Sequence, residues 1–255
     1  MASSSPFVLI ARAFKIKIQP SLVAIYAPYS NRPNIVEQVG TGFLVKHNGR
    51  AVVITAMHTL YGSSGAEDPG EKSFHWDGQL HCVDAVARVI AQEKDYDIAA
   101  FYADELATKP QLNETSIVWR DPLPPYITIG GYLAKDFKRS GDTLAPKPSI
   151  HTDQRMKPAK NLELVTKLVE VKGLNASDDL GLVAVRYTKR RNKNSFTGVR
   201  IPAAPKPSGL SGGPMISTLT LFGPEPAIVG VFAAQGYGQG AGANAKVIRQ
   251  LLSAL

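Results

Sequence analysis

The sequence of 255 residues contains a single cysteine, Cys82, so no disulfide bond can form within the chain. Structural disulfides persist mainly in secreted proteins. Their absence therefore predicts a cytoplasmic location, in a bacterium or an infected host cell, in preference to secretion. Cys82 lies in the alternating segment QLHCVDAV, which is typical of a half-buried strand residue and not of a catalytic thiol. The lone cysteine and five scattered histidines show no metal-ligand spacing, so no metal or cofactor is expected.

Long apolar runs are also absent. No window of the sequence is apolar over the roughly 20 residues that a membrane-spanning helix needs, and no membrane association is expected. The N-terminal segment has an apolar patch of only five residues, FVLIA. Arg12, Lys15 and Lys17 follow it and end the apolar run. A secretory signal places its charge before a longer apolar core. We therefore expect an N-terminal arm or strand over residues 1–18.

Acidic residues are outnumbered, 21 against 29 basic ones, which gives a net charge of +8. The basic residues cluster in the segments KDFKR and RYTKRRNKN, and the second contains Lys189, Arg190 and Arg191. Such clusters leave nucleic-acid binding open as an alternative function. Few aromatic residues interleave with them, so we favour solvated loops. A basic surface would also attract an acidic substrate or partner.

Glycine and proline are plentiful, with 22 and 18 residues, and they separate many short alternating segments. The pairs Asn48-Gly49 and Asp77-Gly78 are typical of hairpin turns. Strands at this spacing predict an all-β barrel or sandwich. The proline-rich stretch at residues 120–126 is the candidate linker between two domains. The C-terminal segment has helical spacing of Val247, Ile248, Leu251, Leu252 and Leu255, which predicts a helix docked on the second domain.

The segment PSGLSGGPMIS, residues 207–217, has the composition of an exposed tight loop. Its glycines and prolines disfavour a helix. Such a loop exposes the hydroxyl of Ser211 and can direct neighbouring backbone N–H groups towards one point. Acyl transfer requires both a nucleophile and preorganised donors for the oxyanion that forms.

A serine nucleophile needs a base and a group that orients the base. His58 follows the strand-like run in VVITAMHTLYG, and Asp97 opens a second apolar run in KDYDIAAFYA. Asp95 competes with Asp97, but Asp97 stands immediately before the apolar run. The remaining histidines lack such a context and are interpreted as surface or hairpin residues: His47, His75, His81 and His151.

TAMH, DIA and GLSGGP, in this order, resemble the motifs of chymotrypsin-like serine proteases, specifically the disulfide-free bacterial or viral type. The resemblance implies an all-β fold of two six-stranded antiparallel β-barrels with a C-terminal α-helix. Residues 19–119 would form the barrel with His58 and Asp97, and residues 120–255 the barrel with Ser211. In this family the serine attacks, the histidine transfers the proton and the aspartate orients the histidine.

The resemblance also implies an oxyanion hole made by the backbone N–H groups of Gly209 and Ser211. The expected substrate-binding residues are Pro205, Ala233, Ala234 and Gln235. No acidic residue occurs in residues 201–210, so the sequence does not support a preference for Lys or Arg, and a neutral residue is expected at the cleavage position. The family commonly has an acidic residue before the serine. Leu210 stands there instead, which predicts no activation by a freed N-terminal amine.

The sequence thus predicts a serine endopeptidase that acts on a protein or peptide substrate. Control by a regulatory protein partner or by narrow specificity is expected of a cytoplasmic protease. Two alternatives stay open: a catalytically silent protease fold that binds peptides, and a basic nucleic-acid-binding protein. A segment of a viral polyprotein is an alternative origin.

Overall fold

A computed structural model describes residues 6–29, 32–61, 72–76, 79–83, 89–119, 126–133, 138–140, 143–145, 148–154, 181–186, 192–193, 200–201, 209–236 and 239–254. The helices are α1 (Pro6–Lys17), α2 (Met57–Tyr61) and α3 (Ala245–Ser253). The strands are β1 (Leu22–Tyr29), β2 (Arg32–His47), β3 (Arg50–Ala56), β4 (Lys72–Trp76), β5 (Gln79–Val83), β6 (Val89–Glu93), β7 (Ile98–Tyr102), β8 (Leu112–Asn113), β9 (Tyr126–Tyr132), β10 (Lys138–Ser140), β11 (Thr143–Ala145), β12 (Pro148–Gln154), β13 (Leu182–Arg186), β14 (Asn192–Lys193), β15 (Arg200–Ile201), β16 (Pro214–Ser217), β17 (Ile228–Gly236) and β18 (Gln239–Asn244).

The first sheet has the strand order β5-β4-β1-β2-β3-β7-β6, and β8 pairs with β2 in parallel. The other neighbours are antiparallel. The turn between β2 and β3 places Asn48 at φ 48° and Gly49 at φ 80°. Asparagine and glycine tolerate this left-handed conformation well, so the predicted hairpin forms there.

The second sheet is antiparallel, with the order β12-β9-β16-β17-β18-β13, and two short hairpins, β10–β11 and β14–β15, stand apart from it. The prediction of an all-β fold with two antiparallel sheets and a C-terminal helix is confirmed. Among the described residues, the second sheet has the six strands expected and the first has eight.

Side chains alternate between separate cores along the strands of the first sheet. On β1, Val23 and Ile25 face one apolar cluster, whereas Leu22, Ala24 and Tyr26 face another. The first cluster lies within the first sheet, and a comparable one lies within the second sheet. The other cluster joins residues of both sheets, α1 and α3. Its position between the sheets fixes how the two halves of the candidate site meet.

The N-terminal segment forms helix α1, where an arm or strand was expected. Ile10, Phe14 and Ile18 recur every four residues and are buried, with Phe14 fully enclosed. The basic residues between the apolar ones lie on other faces of the helix, where Arg12 and Lys15 are exposed. The expectation was wrong because it weighed the length of the apolar run and not its period of 3.6 residues.

The C-terminal helix α3 begins at Asn244, whose side-chain oxygen accepts hydrogen bonds from Lys246 N at 2.9 Å and Val247 N at 3.2 Å. Its apolar face was expected to dock on the second domain. It packs against β17 and β18 of the second sheet and, beyond that expectation, also against β6 and β7 of the first. Arg249 Nε donates to the carbonyl of Ile117 at 2.8 Å.

Several sequence predictions concern residues that the structure does not describe. These are residues 120–125 of the candidate linker, the Asp77-Gly78 turn, most of the two basic clusters and Leu255. Within the described ranges, no helix combines the length and apolar character that crossing a membrane requires.

Candidate active site

His58 is positioned by strand β3, which is buried from Ala51 to Ala56 and leads directly into the short helix α2. The main chain at this junction is held by the opposite strand, because Met57 N donates to Asp97 O at 3.0 Å. The pairing of Ala56 with Ile98 places the start of β7 beside the start of α2. His58 and Asp97, 39 positions apart in the chain, are therefore neighbours.

Asp97 makes two further contacts, both to His58. One carboxylate oxygen accepts from the His58 backbone N–H at 2.8 Å, and the other lies 2.5 Å from Nδ1. The aspartate adopts φ 50°, a left-handed conformation that is uncommon outside glycine. It is 8% exposed. Asp95, the competing residue, is exposed in the turn that precedes it. The structure thus brings Asp97, and not Asp95, onto the histidine.

The Asp97 contact decides which nitrogen of His58 carries the proton. A carboxylate accepts hydrogen bonds, so Nδ1 is assigned as the donor, and in the neutral imidazole the lone pair then lies on Nε2. The His58 side chain is 26% exposed, whereas that of Asp97 is 11% exposed. The imidazole is therefore held by a nearly buried partner while its own surface stays partly open to a ligand.

The loop at residues 209–213, hereafter the serine loop, is a compact turn. Gly209 and Gly212 adopt φ 89° and 85°, values that favour glycine. Gly213 N donates to Leu210 O at 2.9 Å across the turn. Gly212 N donates to Phe232 O at 2.7 Å, and Phe232 N returns a bond to Gly213 O at 2.9 Å. These bonds fasten the loop to β17.

The serine loop also docks against the strands that lead to His58. Thr41 N of β2 donates to Ser211 O at 2.8 Å. A Cβ atom added to Gly212 would overlap the Thr41 carbonyl and lie 2.8 Å from Ala56 N. A Cβ atom on Gly40 would lie 3.1 Å from Ser211 O and 2.7 Å from the Cβ of Thr59, the residue after His58. Close backbone approach therefore places the serine beside the histidine-bearing helix.

The Ser211 hydroxyl donates to the carbonyl of Ala233, at a long distance of 3.4 Å. The pairing of β17 with β18 shifts register between Phe232 and Ala234, so Ala233 lies in a β-bulge. Within the described ranges no hydrogen bond joins Ser211 to His58. The structure thus pairs His58 with Asp97 and places Ser211 next to them, without a hydrogen bond to the histidine.

The backbone N–H groups of Gly209 and Ser211 were predicted to form an oxyanion hole. Neither donates to a backbone acceptor in the part of the chain that the structure describes. The carbonyl of Leu210 is engaged inside the turn, and in a planar trans peptide the N–H of Ser211 points the opposite way. No described backbone acceptor therefore occupies these two donors, and both can bind a ligand.

The predicted substrate-binding residues Ala233, Ala234 and Gln235 lie on β17. Pairing of β17 with β16 ends at Val231, whereas pairing with β18 continues to Gly236. In the described chain, the later part of β17 therefore has no strand on its β16 side. Pro205, the other predicted residue, lies outside the described ranges.

Two residues of the site were not given these roles from the sequence. Thr41 bonds to the serine loop through both its main chain and its side chain, and the only signal is its place between two glycines in VGTGF. Leu210 is 1% exposed and packs with Ile129, Met215 and Phe232. An apolar anchor thus stands where the resembling family commonly has a carboxylate.

Of the other histidines, His47 also pairs with a carboxylate: it is buried at the end of β2, and its Nδ1 lies 2.7 Å from the carboxylate of Glu114. His75 lies half-buried on β4, and the side chains of His81, His151 and Cys82 are outside the description. No group of three or more His, Cys, Asp or Glu residues in the described chain is placed to hold a metal ion.

Comparison by sequence finds no matching family model and no matching curated protein. Comparison by structure finds an HtrA-type protease, AlgW, with a tripeptide: 13% identity, TM-score 0.56, covering 96% of this chain and 62% of that one. The same protease with a decapeptide gives 14% identity, TM-score 0.55, and coverages of 96% and 65%. The apo MamO protease domain from Magnetospirillum magneticum gives 15% identity, TM-score 0.51, and coverages of 92% and 97%.

At these identities the likeness establishes the fold. The chain has the two-barrel fold of chymotrypsin-like serine proteases, as its sequence motifs predicted. It spans less than two thirds of the AlgW chain, so it matches only part of that protein.

Proposed function

We propose that this chain of chymotrypsin-like fold is a serine endopeptidase in which Ser211 is the nucleophile, His58 the general base and Asp97 its orienting partner. The observation that carries the proposal is the bidentate contact of Asp97 with the backbone N–H and Nδ1 of His58. This contact directs the unprotonated Nε2 away from the carboxylate. Catalysis by a serine hydroxyl requires a base in that state.

The reaction begins when the Ser211 oxygen attacks the substrate carbonyl carbon and Nε2 of His58 accepts the hydroxyl proton. We expect rotation about the Cα–Cβ bond of Ser211 to exchange its long bond to Ala233 for one to His58. Hydrogen bonds of this kind commonly tighten only when substrate is bound. The imidazolium then gives its proton to the leaving amine, and water repeats the cycle on the acyl-enzyme.

The oxyanion of each tetrahedral intermediate would be bound by the N–H groups of Gly209 and Ser211. Their lack of acceptors among the described residues supports this assignment. Loss of one such donor typically lowers kcat by about 10²- to 10³-fold. Since both donors belong to the main chain, only residues that hold the loop can test them by mutation.

The substrate would add to β17 as an extended strand. Ala234 and Gln235 lie where this strand has lost its β16 neighbour, and main-chain hydrogen bonds to such an edge are a common mode of peptide binding. Ala233 would flank the cleavage position, together with Pro205. The AlgW neighbours contain peptides, which is consistent with a peptide substrate. The predicted preference for a neutral residue stays a prediction.

The test is labelling by a fluorophosphonate, which reacts with activated serines. We expect labelling of the wild type and none of Ser211→Ala. Cleavage-site profiling with a peptide library, using Ser211→Ala as the blank, would then identify the substrate. Removal of the nucleophile should lower kcat by roughly 10⁶-fold if the three residues act as a unit. Equal labelling of the two proteins would contradict the proposal.

A catalytically silent peptide-binding module is the second candidate. It is favoured by the bond of Ser211 to Ala233, because no hydrogen bond to His58 activates the hydroxyl in this structure. The same reagent separates the two functions. If the protein binds library peptides but does not react with the fluorophosphonate, it is a peptide-binding module and not a peptidase.

We infer that control of the peptidase rests on a partner protein or on narrow specificity, since the disulfide-poor sequence suits a reducing compartment. Latency of the purified protein, relieved by a bound partner, would support this. Broad cleavage of unfolded casein without any partner would contradict it.

A further inference from the structure

Thr41 is fully buried on β2, and its hydrogen bonds reach three separate segments of the chain. Its backbone N–H donates to Ser211 O at 2.8 Å, and its hydroxyl donates to Gly209 O at 2.6 Å. The same hydroxyl accepts from Tyr132 N at 2.9 Å, at the end of β9. Its carbonyl accepts from the Thr55 hydroxyl at 2.8 Å.

The two bonds to the serine loop fall on either side of Leu210. Each fixes a peptide plane, because carbonyl and N–H of one peptide unit are coplanar. The bond to Gly209 O fixes the plane between Gly209 and Leu210. The bond to Ser211 O fixes the plane between Ser211 and Gly212, whose N–H is bound by Phe232 O at 2.7 Å. The plane between them carries the N–H of Ser211.

The hydroxyl bond matters most at Gly209. This residue has φ 89° and no side chain, so nothing about its own structure opposes rotation of the adjacent peptide planes. Without the Thr41 hydroxyl, the Gly209 carbonyl would have no partner among the described residues. Rotation of that peptide would shift Leu210 and so redirect the next peptide, which carries the N–H of Ser211.

The hydroxyl itself is held in orientation by its second bond. Since the oxygen accepts from Tyr132 N, its proton is directed to the remaining partner, the Gly209 carbonyl. The carbonyl of Thr41 is tied to the histidine side through Thr55, whose hydroxyl also lies 2.9 Å from that of Thr59. One residue of the first sheet therefore connects the serine loop, the second sheet and the helix of His58.

We propose that Thr41 is a positioning residue that holds the oxyanion donors of the serine loop through its side-chain hydroxyl. The inference rests on the proposed peptidase function and adds a residue that touches neither the substrate nor the reacting atoms. It acts in the transition state, because the donors it orients bind the oxyanion and not the ground-state carbonyl.

The test compares Thr41→Val, which keeps the shape and removes the hydroxyl, with Thr41→Ser, which keeps the hydroxyl. In Thr41→Val we expect kcat on a cleaved library peptide to fall about 10²-fold or more with KM changed little. The rate of fluorophosphonate labelling should fall in parallel. Thr41→Ser should recover most of both rates.

Thr128→Val is the matched control for loss of a buried threonine hydroxyl. Thr128 is fully buried on β9, and its hydroxyl lies 3.0 Å from that of Thr218, away from the serine loop. The Thr128→Val variant should lower Tm by about as much as Thr41→Val does, but it should leave kcat and the labelling rate unchanged. If Thr41→Val does not fold, Thr41→Cys replaces it, because a thiol is a weaker donor. A tenfold or larger loss of kcat in Thr41→Cys supports the proposal.

A folded Thr41→Val or Thr41→Cys that labels and turns over like the wild type would overturn the positioning role and leave the peptidase proposal intact. A rise in KM at constant kcat would overturn it as well. If the wild type resembles Ser211→Ala and takes no label, the peptidase proposal fails, and the positioning role fails with it.

Discussion

One carboxylate, that of Asp97, holds both the main chain and the side chain of His58. This double contact makes the helix N-terminus and the imidazole a single unit, so the histidine cannot turn without losing its partner. The left-handed backbone of Asp97 is part of the same arrangement, because it turns the chain from Lys94–Tyr96 into β7. At the scale of single residues, the candidate site is defined by hydrogen bonds between residues distant in sequence.

Replacement of Asp97 by asparagine should retain the fold and lose most of the activity. The amide can still accept from the His58 backbone, but its NH₂ group faces Nδ1 and favours the opposite tautomer. We expect kcat to fall by about 10⁴-fold, the loss that this change causes in a serine protease triad. Kinetics on a cleaved peptide measure it. Asp95→Asn, an exposed neighbour, is the control, and an equal loss there would contradict the assignment.

Replacement of Leu210 by aspartate tests whether the serine loop has an apolar anchor. The carboxylate would be buried among Ile129, Met215 and Phe232 without a described cationic partner. We expect a loss of about 3–5 kcal/mol in the free energy of unfolding, typical of an unpaired buried charge. Urea denaturation measures it, and Leu210→Met should cost less than about 1.5 kcal/mol. A Leu210→Asp variant as stable as the wild type would show that a cationic group reaches the buried carboxylate.

At the scale of elements, helix α1 contributes to the interface between the two sheets. The ring of Phe14 lies against Gly130 on β9, where any side chain would overlap it. Gly130 in turn lies against Gly213 of the serine loop, since a Cβ atom on Gly213 would overlap the Gly130 carbonyl. The N-terminal helix therefore supports the strand on which the serine loop rests.

Truncation of Phe14 to alanine should destabilise the protein by about 3–5 kcal/mol, because the residue is fully buried and leaves a cavity. Ile16 lies on the same helix and is 74% exposed. Ile16→Ala should change the free energy of unfolding by less than about 0.5 kcal/mol. Chemical denaturation of the two variants side by side makes the comparison, and equal effects would mean that α1 does not dock in solution.

At the scale of the whole molecule, one apolar cluster joins both sheets and both terminal helices. Tyr26 and Tyr132 belong to it, the first from β1 and the second from the end of β9. Burial raises the pKa of Tyr132 to about 12. Burial, with a smaller contribution from nearby Tyr132, also raises the pKa of Tyr26. The neutral phenols are thus favoured by the folded state.

This cluster predicts a loss of stability at alkaline pH. A tyrosine with a pKa raised on folding stabilises the protein fully below pH 10 and loses that contribution as the pH rises towards 12. For Tyr132 the loss approaches about 2–3 kcal/mol. Thermal unfolding between pH 8 and 11.5 should show a steeper fall in Tm for the wild type than for Tyr132→Phe. Parallel curves would contradict the prediction.

Much of the candidate site could be predicted because its chemistry is local in the sequence. Glycines around Ser211, the apolar strand before His58 and the one after Asp97 each lie within a window of a few residues. Turn chemistry and strand periodicity act at that range, and the Asn48-Gly49 hairpin was predictable for the same reason. The all-β fold followed from the recurrence of such segments.

Contacts between the sheets were decided only by the tertiary structure. The bonds of Thr41 to the serine loop and to Tyr132 depend on which strands are adjacent and on how closely their backbones approach. The docking of α3 across both sheets depends on the same packing. A short stretch of sequence determines the local conformation of its own residues. It does not determine which distant residues they will contact, because hydrogen bonds and apolar contacts across the two sheets form only when the sheets pack together.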